Sequence, residues 1–235
     1  MTFTTRPEIT GTFGVASSTH WLASQTAMSV LERGGNAFDA AVAAGFVLQV
    51  VEPHLNGPGG EAPILLWSQR QQRVLSICGQ GPAPQEATVQ AFERLGLEQV
   101  PGVGLLAATV PGAFGAWLTL LRDHGTWTLA QVLEPALRYA REGFPLVPRA
   151  VQAITAVQAL FRAHWASSAA VWLPQGQVPR PGALFTLPHL AATWERLLQE
   201  AAQAGPGRVA EIEGARRAWY QGFVAREIDT YCRTQ

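Results

Sequence analysis

A helix-rich α+β fold is predicted by three features of the 235-residue sequence. The run Ala37–Val51 is apolar on nearly every face, a pattern a helix carries only when it is buried. Short apolar stretches at Ile64–Trp67 and Val74–Cys78 are separated by polar and Gly-rich turns, as strands are. From Pro111 onward, amphipathic runs at helical spacing follow one another to the C-terminus.

Taken in order, Phe13–Ser17 (FGVAS) reads as a first strand. Ser18 or Thr19 is placed to cap a helix through Arg33, with Ala23, Ala27, Val30 and Leu31 on one face and Gly34 as its stop. Asn36 then caps the buried helix, and Asp39, three residues on, completes a capping pair. Pro53 ends that helix, because Glu52 is pushed out of the α region. The turn His54–Gly60 follows and contains GPGG. The short strand Ile64–Trp67, extended to Ala62 at most, pairs with Val74–Cys78 across the polar turn SQRQQR. Both strands are predicted to join Phe13–Ser17 in one sheet, with the buried helix packed on it.

A second Gly/Pro-rich loop at Gly79–Pro84 leads to a short helix near Glu86–Leu95. Pro111 suits the first turn of a helix that shows Phe114, Trp117, Leu118 and Leu121 on one face and ends at Gly125. Leu129 to Ala140 forms the next helix, ending at Gly143, with Pro135 expected to kink or break it. Ala150–Trp165 is a helix, Ala166–Pro188 an irregular connection, and His189–Ala204 and Gly214–Cys232 are the last two helices.

The composition excludes several functions. Hydrophobic residues make up 48% and charged residues 14%, so much of the chain must be covered. Net charge is zero and no basic patch stands out, which argues against nucleic acid and anionic membrane as partners. The chain has no lysine, and all 17 basic residues are arginine. No apolar run is long enough to span a bilayer. The N-terminus lacks the apolar core of a signal peptide, so a cytoplasmic protein is expected. Cys78 and Cys232 are far apart and show no metal-type spacing. The five histidines share none either, so no metal site is predicted. His54, beside the Gly-rich loop, is the histidine nearest plausible chemistry.

Two motifs invite a chemical reading. The run Ser17-Ser18-Thr19-His20 puts hydroxyls beside an imidazole, but sequence neighbours at a helix start rarely form a triad, and the hydroxyls read as caps. GPGG lacks the lysine and the strand-before-helix order of a phosphate cradle, so Gly57, Gly59 and Gly60 read as structural, allowing close backbone packing. Glu61 places a charge beside this tight loop, facing solvent or a substrate cavity.

The strings GGNAFDAAVAAG and VVEPH, followed by a Gly-rich loop and a strand, resemble the N-terminal part of the gamma-glutamyltranspeptidase family. VPGAFGAW, LAQVLEPALRYAREGFPLVPR and AWYQGFVAREI continue the likeness in family order, so it covers about Gly14 to Ile228. It implies an N-terminal-nucleophile hydrolase with an αββα sandwich, of which residues 1–235 would be the helix-rich N-terminal segment of the large subunit. Such precursors cut themselves, and the threonine freed at the new N-terminus attacks an amide with its own amine as base. No cofactor or metal is implied. The T-T-H-type segment that carries the threonine has no match in this sequence. The resemblance therefore implies no catalytic residue within the chain, and a chain inactive alone. A small subunit or C-terminal segment is implied as partner and a small-molecule amide as substrate of the completed enzyme. The alternative is a non-catalytic remnant or interaction module of the same fold.

The loop Ile77–Pro84 (ICGQGPAP) departs from the family's D-x-R-E-x-A-P, in which the arginine forks onto the α-carboxylate of the glutamyl group. Aligned on Ala83-Pro84, Cys78 replaces the aspartate, Gln80 the arginine and Gly81 the glutamate. Gly79, Gln80 and Gly81 are thus the candidate substrate-binding residues, with Gln80 either lining the pocket or serving as a plain turn residue. Glu61, Ala62 and Pro63 stand where the family more often has glycines and an aromatic.

Overall fold

The computed structural model describes residues 8–234. Helix α1 (Trp21–Glu32) leads to α2 (Ala37–Val51), and the hairpin β1 (Ile64–Ser68) and β2 (Arg73–Ile77) follows. After α3 (Val89–Arg94) come α4 (Ala113–His124) and α5 (Leu129–Glu142). Strand β3 (Phe144–Pro145), α6 (Pro148–His164), α7 (Ala166–Trp172), β4 (Leu184–Phe185), α8 (Pro188–Ala202), α9 (Arg208–Tyr220) and α10 (Phe223–Thr234) complete the chain.

The core is built around α2. Its Asn36 cap accepts from the Phe38 and Asp39 amides, and Asp39 returns a bond to the Asn36 amide, so the predicted capping pair is present. Only Ala37 and Ala41 of the helix are exposed. Helices α1, α4 and α5 surround it, α8 lies against α5, and α9 bridges α8 and α4. Aromatic contacts tie these layers together. Phe46 of α2 meets Trp194 of α8 edge-on at 6.0 Å, and Phe114 of α4 stacks on Trp219 of α9 at 4.3 Å. Arg208, the first residue of α9, donates to the carbonyls of Leu121, Arg122 and Trp127, satisfying the C-terminal end of α4.

Several predicted elements take a different form. Phe13–Ser17 is irregular, not a strand, and Phe13 and Val15 are exposed. A strand exists only with a neighbour to complete its ladder, and neither two-stranded sheet of the described residues reaches this segment. There is consequently no single three-stranded sheet under α2. The hairpin β1–β2, in antiparallel register Leu66↔Leu75, packs near α4 and buries only alternate residues: Leu66 and Ser68 point inward, whereas Leu65 and Trp67 are exposed. The cap of α1 is His20, whose Nδ1 accepts from the Leu22 amide, in place of Ser18 or Thr19.

Pro135 sits inside α5 without ending it. Its ring is buried with Leu129, Val132, Leu133, Ala136 and Ala140, and the packing of that face outweighs one missing helical bond. The stretch predicted as an irregular connection holds α7 and β4, the latter paired with β3 (Phe144↔Phe185). The last predicted helix is two, α9 and α10, with Gln221 and Gly222 between them.

Candidate functional site

Three backbone segments meet beside the N-terminus of α4. The Gly60 carbonyl accepts from the Gly112 and Ala113 amides at 3.0 and 2.9 Å, satisfying two first-turn donors that no side chain caps. Gly79 accepts from the Ala62 amide at 3.2 Å, and Pro82 accepts from the Val110 amide at 3.0 Å. The contact is close enough to require glycine. A Cβ on Gly81 would lie 1.5 Å from the Val110 carbonyl oxygen, and one on Gly79 2.2 Å from that of Ala62. A Cβ on Gly112 would lie 2.2 Å from the Gly79 oxygen. At the other loop, a Cβ on Gly57 or Gly59 would meet open space, and one on Gly60 would approach the Gly57 oxygen at 3.3 Å.

This docking leaves Gln80 exposed on a cleft of about 330 Å³. Cys78, Gly81, Tyr220 and Arg216 line the same cleft. The Tyr220 hydroxyl donates to the Pro111 carbonyl at 2.8 Å, and burial pushes its phenol pKa up. Arg216 stands 3.9 Å from Glu213, whose carboxylate is already held at 2.5 Å by Arg122. Arg122 also pairs with Asp123, which is thereby held below the ordinary carboxylate range. Among the described residues Arg216 makes no closer ion pair, and it lines the cleft. Sequence reading did not assign Arg216 or Tyr220 to the site: Tyr220 lies in the AWYQGFVAREI string, but nothing local shows that this helix, about 140 residues on, meets the Gln80 loop.

A second polar group lies where α1 and α2 meet. Ser18 donates to the His20 carbonyl and bonds Ser24, and Thr19 donates to the buried carboxylate of Glu52. No serine or threonine of this run bonds the His20 ring, whose Nδ1 is engaged as the cap, so the hydroxyls are committed to local structure. His20 is 1% exposed. Burial holds its imidazole below the ordinary 6.5 despite Glu52, and His54 adds to the depression. His54 is lowered in the same way by burial, again against Glu52, with Arg149 adding to it. Both groups are neutral in the folded chain at pH values where the unfolded chain begins to bind protons. Stability present above about pH 6.5 is therefore lost as the pH falls below it. The melting temperature is expected to drop between pH 7.5 and 5.5. His20→Asn, which keeps an acceptor for the Leu22 amide, should flatten that drop, and an equally steep profile in the variant would show that His20 is not responsible.

The fold is that of an N-terminal-nucleophile hydrolase, an αββα sandwich of which this chain forms the helix-rich N-terminal part. The chain belongs to the gamma-glutamyltranspeptidase family, whose model matches residues 23–234. It is similar to the solved structure LmbA2991HD, with 57% identity and a TM-score of 0.90, over 95% of this chain and 38% of that one. The glutathione hydrolase-like YwrD proenzyme of Bacillus subtilis is 34% identical over 94% of this chain and 39% of its own length. The oxamate amidohydrolase proenzyme of Klebsiella pneumoniae is 35% identical over 80% of this chain and 36% of its own length. The chain therefore spans less than two fifths of these curated relatives, which are amidohydrolases of the gamma-glutamyltranspeptidase and acylase type. Among the described residues no helix is long and apolar enough to cross a membrane.

Proposed function

We propose that these residues are the N-terminal large-subunit portion of an amidohydrolase or acyltransferase acting on small acyl amides, and that they furnish the acyl-binding side of its site. The attacking threonine and the oxyanion donors belong to a small subunit or C-terminal segment, with the threonine's own amine as base. On this reading the reaction needs no metal and no cofactor. The observation that carries the proposal is the Gly79–Gly81 loop, clamped onto residues 110–112 so that Gln80 faces the cleft.

A gamma-glutamyl group is expected to be a poor substrate. A neutral carboxamide at Gln80 offers neither the charge nor the planar fork that holds an α-carboxylate. The glutamate that accompanies the arginine in the family pattern also has no place here, since even a methyl group at Gly81 would strike the Val110 carbonyl. The cleft's cation is Arg216, which comes from α9, so a substrate anion would be held from a different wall.

The test is a complete enzyme reconstituted from this chain and a segment bearing the threonine. Turnover of simple acyl anilides should exceed that of a gamma-glutamyl anilide by at least roughly tenfold, the worth of one charge-assisted contact. Gln80→Arg should narrow that gap. The chain alone should cleave neither substrate. Efficient glutamyl turnover by the unaltered enzyme, or turnover by the chain alone, would overturn the reading.

A further inference from the structure

A different cleft, of about 660 Å³, borders the Gly-rich loop at Gly57 and Pro58 and runs to the segment from α7 to the start of α8. That volume suits a small organic ligand. One wall is aromatic: Trp172 and Phe185 stack with centroids 5.4 Å apart and planes within 6°. Leu187 extends the apolar surface. Asn56, Thr186 and His189 add polar groups at its edges, and Gln49 is the polar side chain buried in it. It lies in the apolar helix α2, is only 3% exposed, lines the cleft, and its Oε1 has no hydrogen-bond partner among the described residues. A buried side-chain amide without a partner is uncommon, because the bonds it made to water are lost without replacement. Asp39, the other polar side chain buried in this helix, has every oxygen bonded.

We infer that this cleft binds a small molecule with an aromatic or alkyl body and a carboxamide, the body against Trp172 and Phe185 and the carboxamide paired with Gln49. A carboxamide offers donor and acceptor together, so it complements the glutamine amide whichever end is presented. A carboxylate fits poorly. No arginine lines the cleft, so a carboxylate finds no guanidinium fork there and only the Asn56, Thr186 and His189 side chains as donors besides Gln49, whose unpaired oxygen it would face with like polarity. The site stands apart from the Gln80 cleft and does not depend on which amide the completed enzyme cleaves.

The experiment titrates the full chain with 4-phenylbutanamide and with 4-phenylbutanoate, followed by ligand-observed NMR and calorimetry. The amide should bind at least tenfold more tightly than the acid, a margin in keeping with one net hydrogen bond. Gln49→Leu should lower amide affinity by about tenfold and leave that of the acid within twofold. Val171→Trp, placed on the exposed cleft wall, should abolish binding of both without changing the melting temperature. Gln80→Ala should change neither affinity, which separates this site from the acyl-binding cleft. If Gln49→Leu does not fold, the amide-to-acid ratio in the unaltered chain and the Val171→Trp result decide. Absence of saturable amide binding, equal affinity for the two probes, undiminished amide binding by a folded Gln49→Leu, or binding that survives Val171→Trp would each overturn the inference.

Discussion

Replacing Asp39 by alanine lowers the stability of the chain by about 3 kcal/mol, because four donors lose one buried acceptor together. Its carboxylate is 0% exposed and accepts four hydrogen bonds. One comes from the Asn36 amide at 2.9 Å and closes the cap of α2. The Thr126 amide, the Thr126 hydroxyl and the Trp127 amide supply the others at 2.8, 2.6 and 3.0 Å. Asn36 adds a bond from its side chain to the His124 carbonyl at 2.8 Å. The start of α2 is thereby fastened to the turn between α4 and α5. Alanine would leave the Asn36, Thr126 and Trp127 amides without their acceptor; these residues are half-buried or exposed, so water replaces part of what is lost and the cost stays below the roughly 1–3 kcal/mol of a fully buried orphan for each. Asp39→Asn keeps the volume but turns one acceptor into a donor facing other donors, and is expected to lose about half as much. Chemical denaturation of the two variants checks both values. A loss below 1 kcal/mol for the alanine variant would mean that the network closes through other groups.

The second large effect is expected at Gly81. Alanine there places a methyl carbon 1.5 Å from the Val110 carbonyl oxygen, and both atoms belong to clamped backbone, so neither yields as a side chain would. The loop must leave residues 110–112, at a cost of about 3 kcal/mol. Because Gln80 is carried by that loop, the geometry of its cleft is lost with it. Gly57→Ala and Gly59→Ala are the controls. Both sites have open space for a Cβ and neither has a positive φ, so changes within about 0.5 kcal/mol are expected. Comparable losses at Gly57 and Gly81 would show that glycine is needed for some reason other than contact.

The same residues show how far sequence reading reaches. Asn36 and Asp39 are legible because a capping pair is local, three residues apart on one turn. The tie from Asp39 to Thr126 spans 87 positions, and nothing near either end announces it. Gly79 and Gly81 declare themselves as a loop by composition, but the segment that forces them to be glycine, 110–112, is known only from the fold. His20 displaced Ser18 and Thr19 as the cap of α1 because all three carry acceptors and only the backbone path decides which one meets the Leu22 amide. Phe13–Ser17 has strand composition but no ladder partner among the described residues, and composition alone cannot supply one. Pro135 was read by its local penalty, whereas burial of its helix face set the outcome. For the candidate site, the Gln80 loop was visible in the sequence, and Arg216 and Tyr220 were not.

The encirclement of α2 also sets a timetable for synthesis. Its apolar surface is complete once Val51 is made, yet α4 and α5, which cover it, end only at His124 and Glu142. At a translation rate of about 5–20 residues per second, roughly 5–20 s separate the emergence of this helix from that of its cover. For that interval the nascent chain carries a greasy segment packed on α1 but not yet covered by α4 and α5, and the Asp39 clasp cannot close before Trp127 has left the ribosome. A trigger-factor-type holdase should therefore engage ribosome-bound chains arrested near residue 90 and release those arrested with residue 142 well clear of the exit tunnel.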